Sequence, residues 1–362
     1  MTLELRSVSK TVGGETHLAD ISLVLQRGTF NILLGPTLSG KTSLLRLMAG
    51  LDRPDTGRVI FDGEDVTGVA VRRRSVAMVY QQFINYPNMT VYENIASPLR
   101  VAGVGQAELD ARVRRTADVM KLGPYLERRP LELSGGQQQR TALARALVKS
   151  AQLVLLDEPL ANLDYKLREE MREELPRIFA ESNAIVVYAT TEPTEALLLG
   201  GQTATLHQGR ITQFGPTLSV YRTPRDLVTA QTFSDPPLNL LMMDKRGDRL
   251  VHAEGLTIPA TGQMAGLPDG PYTLGFRPNH LLLEKPLHAT ISLPAKVAIT
   301  EITGSESFVH TDFGGLRWVA LAHGIREFSI GQTIEMFLDP RDFFVFTTDG
   351  ALAAAPDLKS AA

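Results

Sequence analysis

Two stretches carry residue types at spacings that fit phosphate chemistry. Gly35-Pro36-Thr37-Leu38-Ser39-Gly40-Lys41-Thr42 matches G-x-x-x-x-G-K-[ST] and runs on into Ser43. Set between a strand and a helix, such a loop turns backbone N–H groups and a helix N-terminus toward phosphate oxygens. Lys41 would reach the β and γ phosphates. Thr42 would offer its hydroxyl to a magnesium ion, which keeps most of its water and takes few protein ligands. The bland reading, a glycine turn beside a surface lysine, is the weaker one for so long a pattern in that context. The second stretch, Leu153-Val154-Leu155-Leu156-Asp157-Glu158-Pro159, is an apolar run ending in two carboxylates. Catalytic groups of open α/β sheets sit at the carboxyl ends of strands. Asp157 would hold the magnesium shell, and Glu158 would polarise a water in line with the γ-phosphate. An isolated Asp-Glu pair is more often a solvated strand end, but the phosphate loop upstream reverses that order.

These groups need a frame. Residues 29–34 read as a buried strand, and residues 41–48 as a helix stopped by Gly50. Helical spacing over 107–120 and 137–148 brackets Ser134-Gly135-Gly136, and 153–156 and 184–189 read as further buried strands. Strands alternating with helices up to about Asp235 predict an α/β domain over 1–235. At Ser234-Asp235-Pro236-Pro237 the pattern changes, because a Pro-Pro pair cannot continue a helix. Short strands at 250–258, 272–276, 295–302, 308–313, 317–320 and 333–338 then predict a small closed β-barrel over 236–362, with a frayed tail from 351.

The 362 residues suit about two domains at roughly 150 residues each. A hydrophobic share of 43% against 21% charged excludes a disordered chain. A net charge of -3 gives no bulk attraction to nucleic acid or anionic membrane. The absence of cysteine excludes disulfides, thiolate nucleophiles and zinc–cysteine sites and fits a reducing cytoplasm. Residues 1–6 do not read as an export signal, and no apolar run reaches the 18 residues or so needed to cross a bilayer.

Leu133-Ser134-Gly135-Gly136-Gln137-Gln138-Gln139-Arg140 resembles the signature motif of ATP-binding cassette (ABC) ATPases, and it precedes the acidic strand as in that family. Asp164, in Ala161-Asn162-Leu163-Asp164, resembles the D-loop, and Gln81, in Val79-Tyr80-Gln81, the Q-loop. Beyond Asp235, Gly275-Phe276-Arg277-Pro278-Asn279-His280 and the strands around it resemble the oligonucleotide/oligosaccharide-binding (OB) type barrel of carbohydrate importer ATPases such as the maltose and glycerol-3-phosphate systems. Tyr86-Pro87-Asn88-Met89-Thr90-Val91-Tyr92-Glu93-Asn94 is similar to the segment that grips their membrane subunits. The resemblance implies a P-loop ABC domain with a helical subdomain at about 96–148, hydrolysing ATP with Mg2+, and Gln81 at the metal and water. It implies that Ser134, Gly135, Gly136 and Gln137 meet the γ-phosphate bound by a second ABC ATPase subunit, identical or not. Two transmembrane permease subunits would be contacted through residues 81–93, with a solute-binding protein acting indirectly and the chain peripheral on the cytoplasmic face of the inner membrane. The solute would be a sugar, a polyol such as glycerol, or a glycerol phosphate.

Two positions depart from the family pattern. Its switch histidine, on the γ-phosphate, aligns with Thr191, and no histidine occurs between His17 and His207. Its adenine-stacking aromatic aligns with Val12, and no phenylalanine, tyrosine or tryptophan precedes Phe30. These departures predict an asymmetric ATPase pair and leave open a non-hydrolysing regulatory subunit. A nucleic-acid-handling ATPase is the third alternative, opposed by the charge from Pro236 onward, 4 Lys and 6 Arg against 8 Asp and 6 Glu. The histidines at 252, 280, 288, 310 and 323 read as packing residues of the β domain.

Overall fold

The computed structural model describes residues 2–82, 84–161, 163–180, 184–286 and 291–356. Contacts divide the chain into two units, Met1–Thr217 and Leu218–Ala362.

The first unit opens with a hairpin of β1 (Thr2–Val12) and β2 (Glu15–Gln26), whose Leu3, Leu5, Leu18, Ile21, Leu23 and Leu25 are buried. Alternation puts Leu3 with Leu5, and Ile21 with Leu23 and Leu25, on one face, and the irregularity at Asp20, whose φ is +53°, brings Leu18 to the same core. With β4 (Thr56–Phe61) and β5 (Glu64–Asp65) they form a sheet of order β2-β1-β4-β5. A second sheet contains β3 (Phe30–Leu34), β6 (Val76–Val79), β7 (Leu153–Asp157), β8 (Ile185–Thr190), β9 (Gln202–His207) and β10 (Arg210–Pro216) in the order β10-β9-β3-β8-β7-β6. Its neighbours are parallel except β10 against β9. β3, β7 and β8 are buried throughout, so they read as continuous apolar runs rather than alternating ones. Helix α1 (Lys41–Ala49) joins the two sheets into one core, Leu44, Leu45 and Met48 clustering with Leu5 and Ile21 of the first sheet and Leu155, Val187 and Leu206 of the second.

The helices α2 (Val91–Val101), α3 (Gln106–Val119) and α4 (Gly135–Val148) pack on one another. Two further helices, α5 (Tyr165–Ala180) and α6 (Pro193–Leu199), flank β8 in sequence.

The second unit starts earlier than the Pro-Pro pair suggested. Helix Leu227–Thr232 belongs to it: Ala230 and Leu227 pack with Leu238, Phe344 and Phe346, and Asp226 bridges to Ala351. Pro236-Pro237 ends a helix without ending a unit, since tertiary packing outweighs the local break. Its strands divide between two antiparallel sheets where one closed ladder was expected. β11 (Asn239–Arg246), β12 (Arg249–Val251), β13 (Thr257–Pro259), β14 (Gly270–Phe276), β19 (Phe344–Phe346) and β20 (Leu352–Ala354) run β13-β12-β11-β14-β19-β20. β15 (Ile291–Ile302), β16 (Glu306–Phe313), β17 (Leu316–His323) and β18 (Thr333–Leu338) run β17-β16-β15-β18. Both sheets feed one core, Leu241, Leu274 and Phe276 with Val297, Val309 and Trp318, consistent with an OB-type domain. Buried Asn239 stitches them, donating to Val319 O at 2.9 Å and accepting from Val319 N at 2.8 Å. The expected strand 250–258 is a hairpin turning at Gly255, and residues 352–354 of the expected frayed tail pair with β19; residues 357–362 lie outside the described ones.

Candidate functional site

The phosphate loop spans the end of β3 to the start of α1. Its glycines are there for room. A Cβ on Gly35 would overlap the Leu206 carbonyl oxygen, and one on Gly40, whose φ is +103°, would lie 2.7 Å from the His17 carbonyl oxygen. Lys41 is 5% exposed, and its ammonium donates to Gly35 O at 2.8 Å and Pro36 O at 3.0 Å. Burial lowers its pKa, opposed by Glu158 and Asp157.

β7 delivers the carboxylates. Asp157, 3% exposed, accepts a 2.9 Å hydrogen bond from Thr42 Oγ1. Burial pushes its pKa up, an effect opposed by the Thr42 bond and reinforced by Glu158. Glu158 accepts at Oε2 from Gln81 Nε2 at 2.9 Å, and its Oε1 stands 3.6 Å from Lys41 Nζ. Its backbone has φ of +45° while its N–H donates to Ala189 O at 3.0 Å, so the residue leaves the strand in a left-handed conformation.

A cleft of about 400 Å³ gathers Thr37 to Ser43, Gln81 and Glu158. Two features fit it to a phosphate chain with a hard cation. Ser39 Oγ is buried with no hydrogen-bond partner among the described residues. A neutral hydroxyl and a carboxylate, Thr42 and Asp157, are the oxygen donors that magnesium takes.

Other expected site residues lie elsewhere. Ser134 caps α4, its Oγ accepting from Gln137 N at 3.4 Å while Gln137 Oε1 accepts from Ser134 N at 3.0 Å. Ser134 and Gly135 are exposed, and neither they nor Gly136 and Gln137 line the cleft. Asp164 accepts from Leu167 N at 3.0 Å in the first turn of α5 and is also outside it. Val12, 48% exposed at the hairpin tip, does not line it either; Glu15, Thr16 and His17 do. Those three were missed because only the β1–β2 hairpin, closed by Gly13-Gly14, carries them to the phosphate loop. Thr191 is exposed just past β8, beside the loop through the Gly35 N to Thr190 O bond of 3.3 Å.

Under Thr191 lies a polar network. Buried Glu195 accepts at Oε2 from Tyr188 at 2.9 Å and Thr190 at 2.7 Å. Arg168 donates to Glu192 at 3.2 Å and to the carbonyls of Ala161 and Leu163 at 3.3 and 3.4 Å. Among the histidines read as packing residues, His252 lies against Phe313, His280 is largely buried and His310 pairs with Glu301 at 3.2 Å, but His323 is 92% exposed; His288 lies outside the described residues.

The segment 86–94 is shaped by Asn94, fully buried, which donates to Tyr86 O and Met89 O, each at 3.1 Å, and accepts from Tyr86 N at 2.8 Å. Thr90 and Glu93 cap α2 reciprocally. Beside it a groove of about 270 Å³ is lined by Met78, Tyr86, Ser97, Val101 and Arg145. Among the described residues no helix is long and apolar enough to cross a membrane.

Comparison with known proteins agrees with this geometry. The family described as ABC transporter matches residues 18–161. The chain is 36% identical over 337 residues to an sn-glycerol-3-phosphate import ATP-binding protein of Rhizobium etli, covering 92% of this chain and 94% of that protein. It is 34% identical over 359 residues to the protein of the same description in Yersinia pestis, covering 98% and 99%. Among solved structures, it is similar to the dimeric bacterial ABC transporter cassette MJ0796, at TM-score 0.55 and 29% identity over 59% of this chain and 98% of that one. The post-hydrolysis dimer of MJ0796 bound to ADP and Pi matches at TM-score 0.54 over the same shares. The chain therefore belongs to the ABC transporter family, as an import-type ATP-binding subunit that couples ATP hydrolysis to transport.

Proposed function

We propose that this subunit drives uptake of a sugar or glycerol phosphate, or of a sugar or polyol, and hydrolyses ATP through Glu158. The carrying observation is the Glu158 carboxylate, held on one side by Gln81 at 2.9 Å and facing Lys41 at 3.6 Å on the other. So placed, it accepts a proton from a water attacking the γ-phosphate, while Lys41 exchanges its loop carbonyls for phosphate oxygens. Thr42, Asp157 and Gln81 would hold a magnesium ion, which would neutralise part of the triphosphate charge. The solute class rests on the relatives, whose names give sn-glycerol-3-phosphate import.

A second chain completes the site. Ser134 and Gly135 sit exposed at a helix N-terminus, where N–H groups await an anion, and lie outside their own chain's cleft. The groove beside Tyr86, with Ile84 and Val101 exposed nearby, is the surface for the permease subunits, on the cytoplasmic face of the inner membrane. Thr191, a neutral hydroxyl, cannot supply the positively charged N–H donor of an imidazolium, which favours a pair in which the other ATPase carries the histidine. The test is ATPase activity of the complex purified from its native membrane and reconstituted in proteoliposomes, with glycerol-3-phosphate, glycerol or a disaccharide on the substrate side. Stimulation by glycerol-3-phosphate supports the reading. Stimulation by none of the three overturns the solute class, and a complex without ATP turnover favours the regulatory alternative.

A further inference from the structure

Among the residues lining the cleft, one carries an aromatic ring: His17, on β2. Its backbone is fixed between two glycines. A Cβ on Gly40 would come within 2.7 Å of the His17 carbonyl oxygen and one on Gly209 within 2.6 Å, and both glycines have positive φ, +103° and +74°. β2 thus lies directly against the phosphate loop. The ring is fixed as well, with Nδ1 3.1 Å from Ser43 Oγ. Ser43 follows Thr42 in the first turn of α1, where the N–H groups that gather phosphate oxygens converge. When the Ser43 hydroxyl donates to Nδ1, the imidazole proton sits on Nε2. That nitrogen has no partner among the described residues.

We propose that His17 is a nucleotide-contacting residue that donates Nε2–H to the inner phosphate of the bound nucleotide, with Ser43 fixing its tautomer. The inference deepens the nucleotide reading above and rests on it. Because it reads phosphate rather than base, His17 contributes equally to binding of adenine and guanine nucleotides. It supplies affinity that Val12, aliphatic and outside the cleft, does not.

The test is nucleotide affinity of the full chain by isothermal titration with ATP, ADP and GTP, for His17→Ala, His17→Gln and His17→Phe, with thermal melts to verify folding. A hydrogen bond to a charged group is worth about tenfold or more in affinity. His17→Ala should weaken all three nucleotides by about that factor and by the same factor. His17→Phe, which keeps a ring and loses the donor, should behave like His17→Ala, whereas His17→Gln should recover much of the loss. Unchanged affinity in His17→Ala, wild-type affinity in His17→Phe, or a loss confined to ATP each overturns the proposal. Lys41→Ala separates the two levels. Binding lost there and kept in His17→Ala leaves the nucleotide reading standing and removes His17 from it, while a wild-type chain that binds none of the three removes both.

Discussion

The side-chain amide of Gln81 donates to Glu158 Oε2 at 2.9 Å, tying the end of β6 to the end of β7 through their side chains. Since Lys41 faces the other carboxylate oxygen at 3.6 Å, the three groups act on one another before any nucleotide arrives.

That triangle separates binding from turnover. Lys41→Ala should lose phosphate binding, while Glu158→Gln keeps the shape and the Gln81 contact and loses the proton acceptor. ATP affinity of Glu158→Gln should stay near wild type with turnover down by a hundredfold or more, on the order of 3 kcal/mol. If Glu158→Gln bound ATP as poorly as Lys41→Ala, the two roles would be wrong.

Thr191 follows directly on the strand that abuts the phosphate loop, so Thr191→His restores a charged donor where the family has one. A missing hydrogen bond to transition-state charge costs roughly 3 to 4 kcal/mol, a hundred- to a thousandfold in rate. Steady-state turnover at this chain's site should rise toward that factor. A substitution that leaves turnover flat removes the basis for an asymmetric pair.

Asymmetry is tested again in transport. In complexes with a histidine-bearing partner ATPase, the asymmetric proposal has Ser134→Arg here disrupting an efficient site on the partner's phosphate loop and Glu158→Gln a slower one. Solute uptake should fall further in Ser134→Arg, and the reverse order rejects the assignment.

Base discrimination should be weak. Aromatic stacking is worth roughly 1 to 3 kcal/mol per base, and Val12, half-exposed, supplies less. GTP should compete with ATP within a few tens of fold in a displacement titration, and a thousandfold preference for ATP contradicts this.

Glu195 sets a pH dependence of stability. Burial raises its pKa above the ordinary 4.5, against the hydrogen bonds from Thr190 and Tyr188 that favour its charged form. The folded state holds that proton more tightly than the unfolded chain, so this contribution is complete below 4.5 and is lost as pH rises through the raised value. Asp157 acts in the same direction. Urea midpoints measured across that interval should decline less with pH in Glu195→Gln than in the parent; parallel curves would count against the assignment.

Much of this was written in local pattern. The phosphate loop and Asp157-Glu158 were legible because motif and element coincide: an apolar run becomes a strand buried on both faces, and the residues after it land at its carboxyl end. His17 was not, because nothing in its neighbourhood in sequence shows that β2 passes under Gly40. Nor was the unit boundary, since Pro236-Pro237 breaks a helix visibly while the packing of Ala230 on Phe344 and Phe346, more than a hundred residues on, leaves no local trace. The two-sheet division of the β unit depends on which strands pair, and hydrophobic alternation is the same for either arrangement.

The left-handed backbone of Glu158 has a thermodynamic consequence. For a side chain with a Cβ, φ of +45° costs about 1 to 3 kcal/mol that glycine does not incur. Against that strain stand the Gln81 hydrogen bond at 2.9 Å and the Lys41 contact at 3.6 Å, and Glu158→Gly, which sheds all three, should unfold at a higher temperature than the parent while turning over nothing. Stability and activity pull in opposite directions at that one peptide, so a screen for heat resistance alone would drift toward an inert protein.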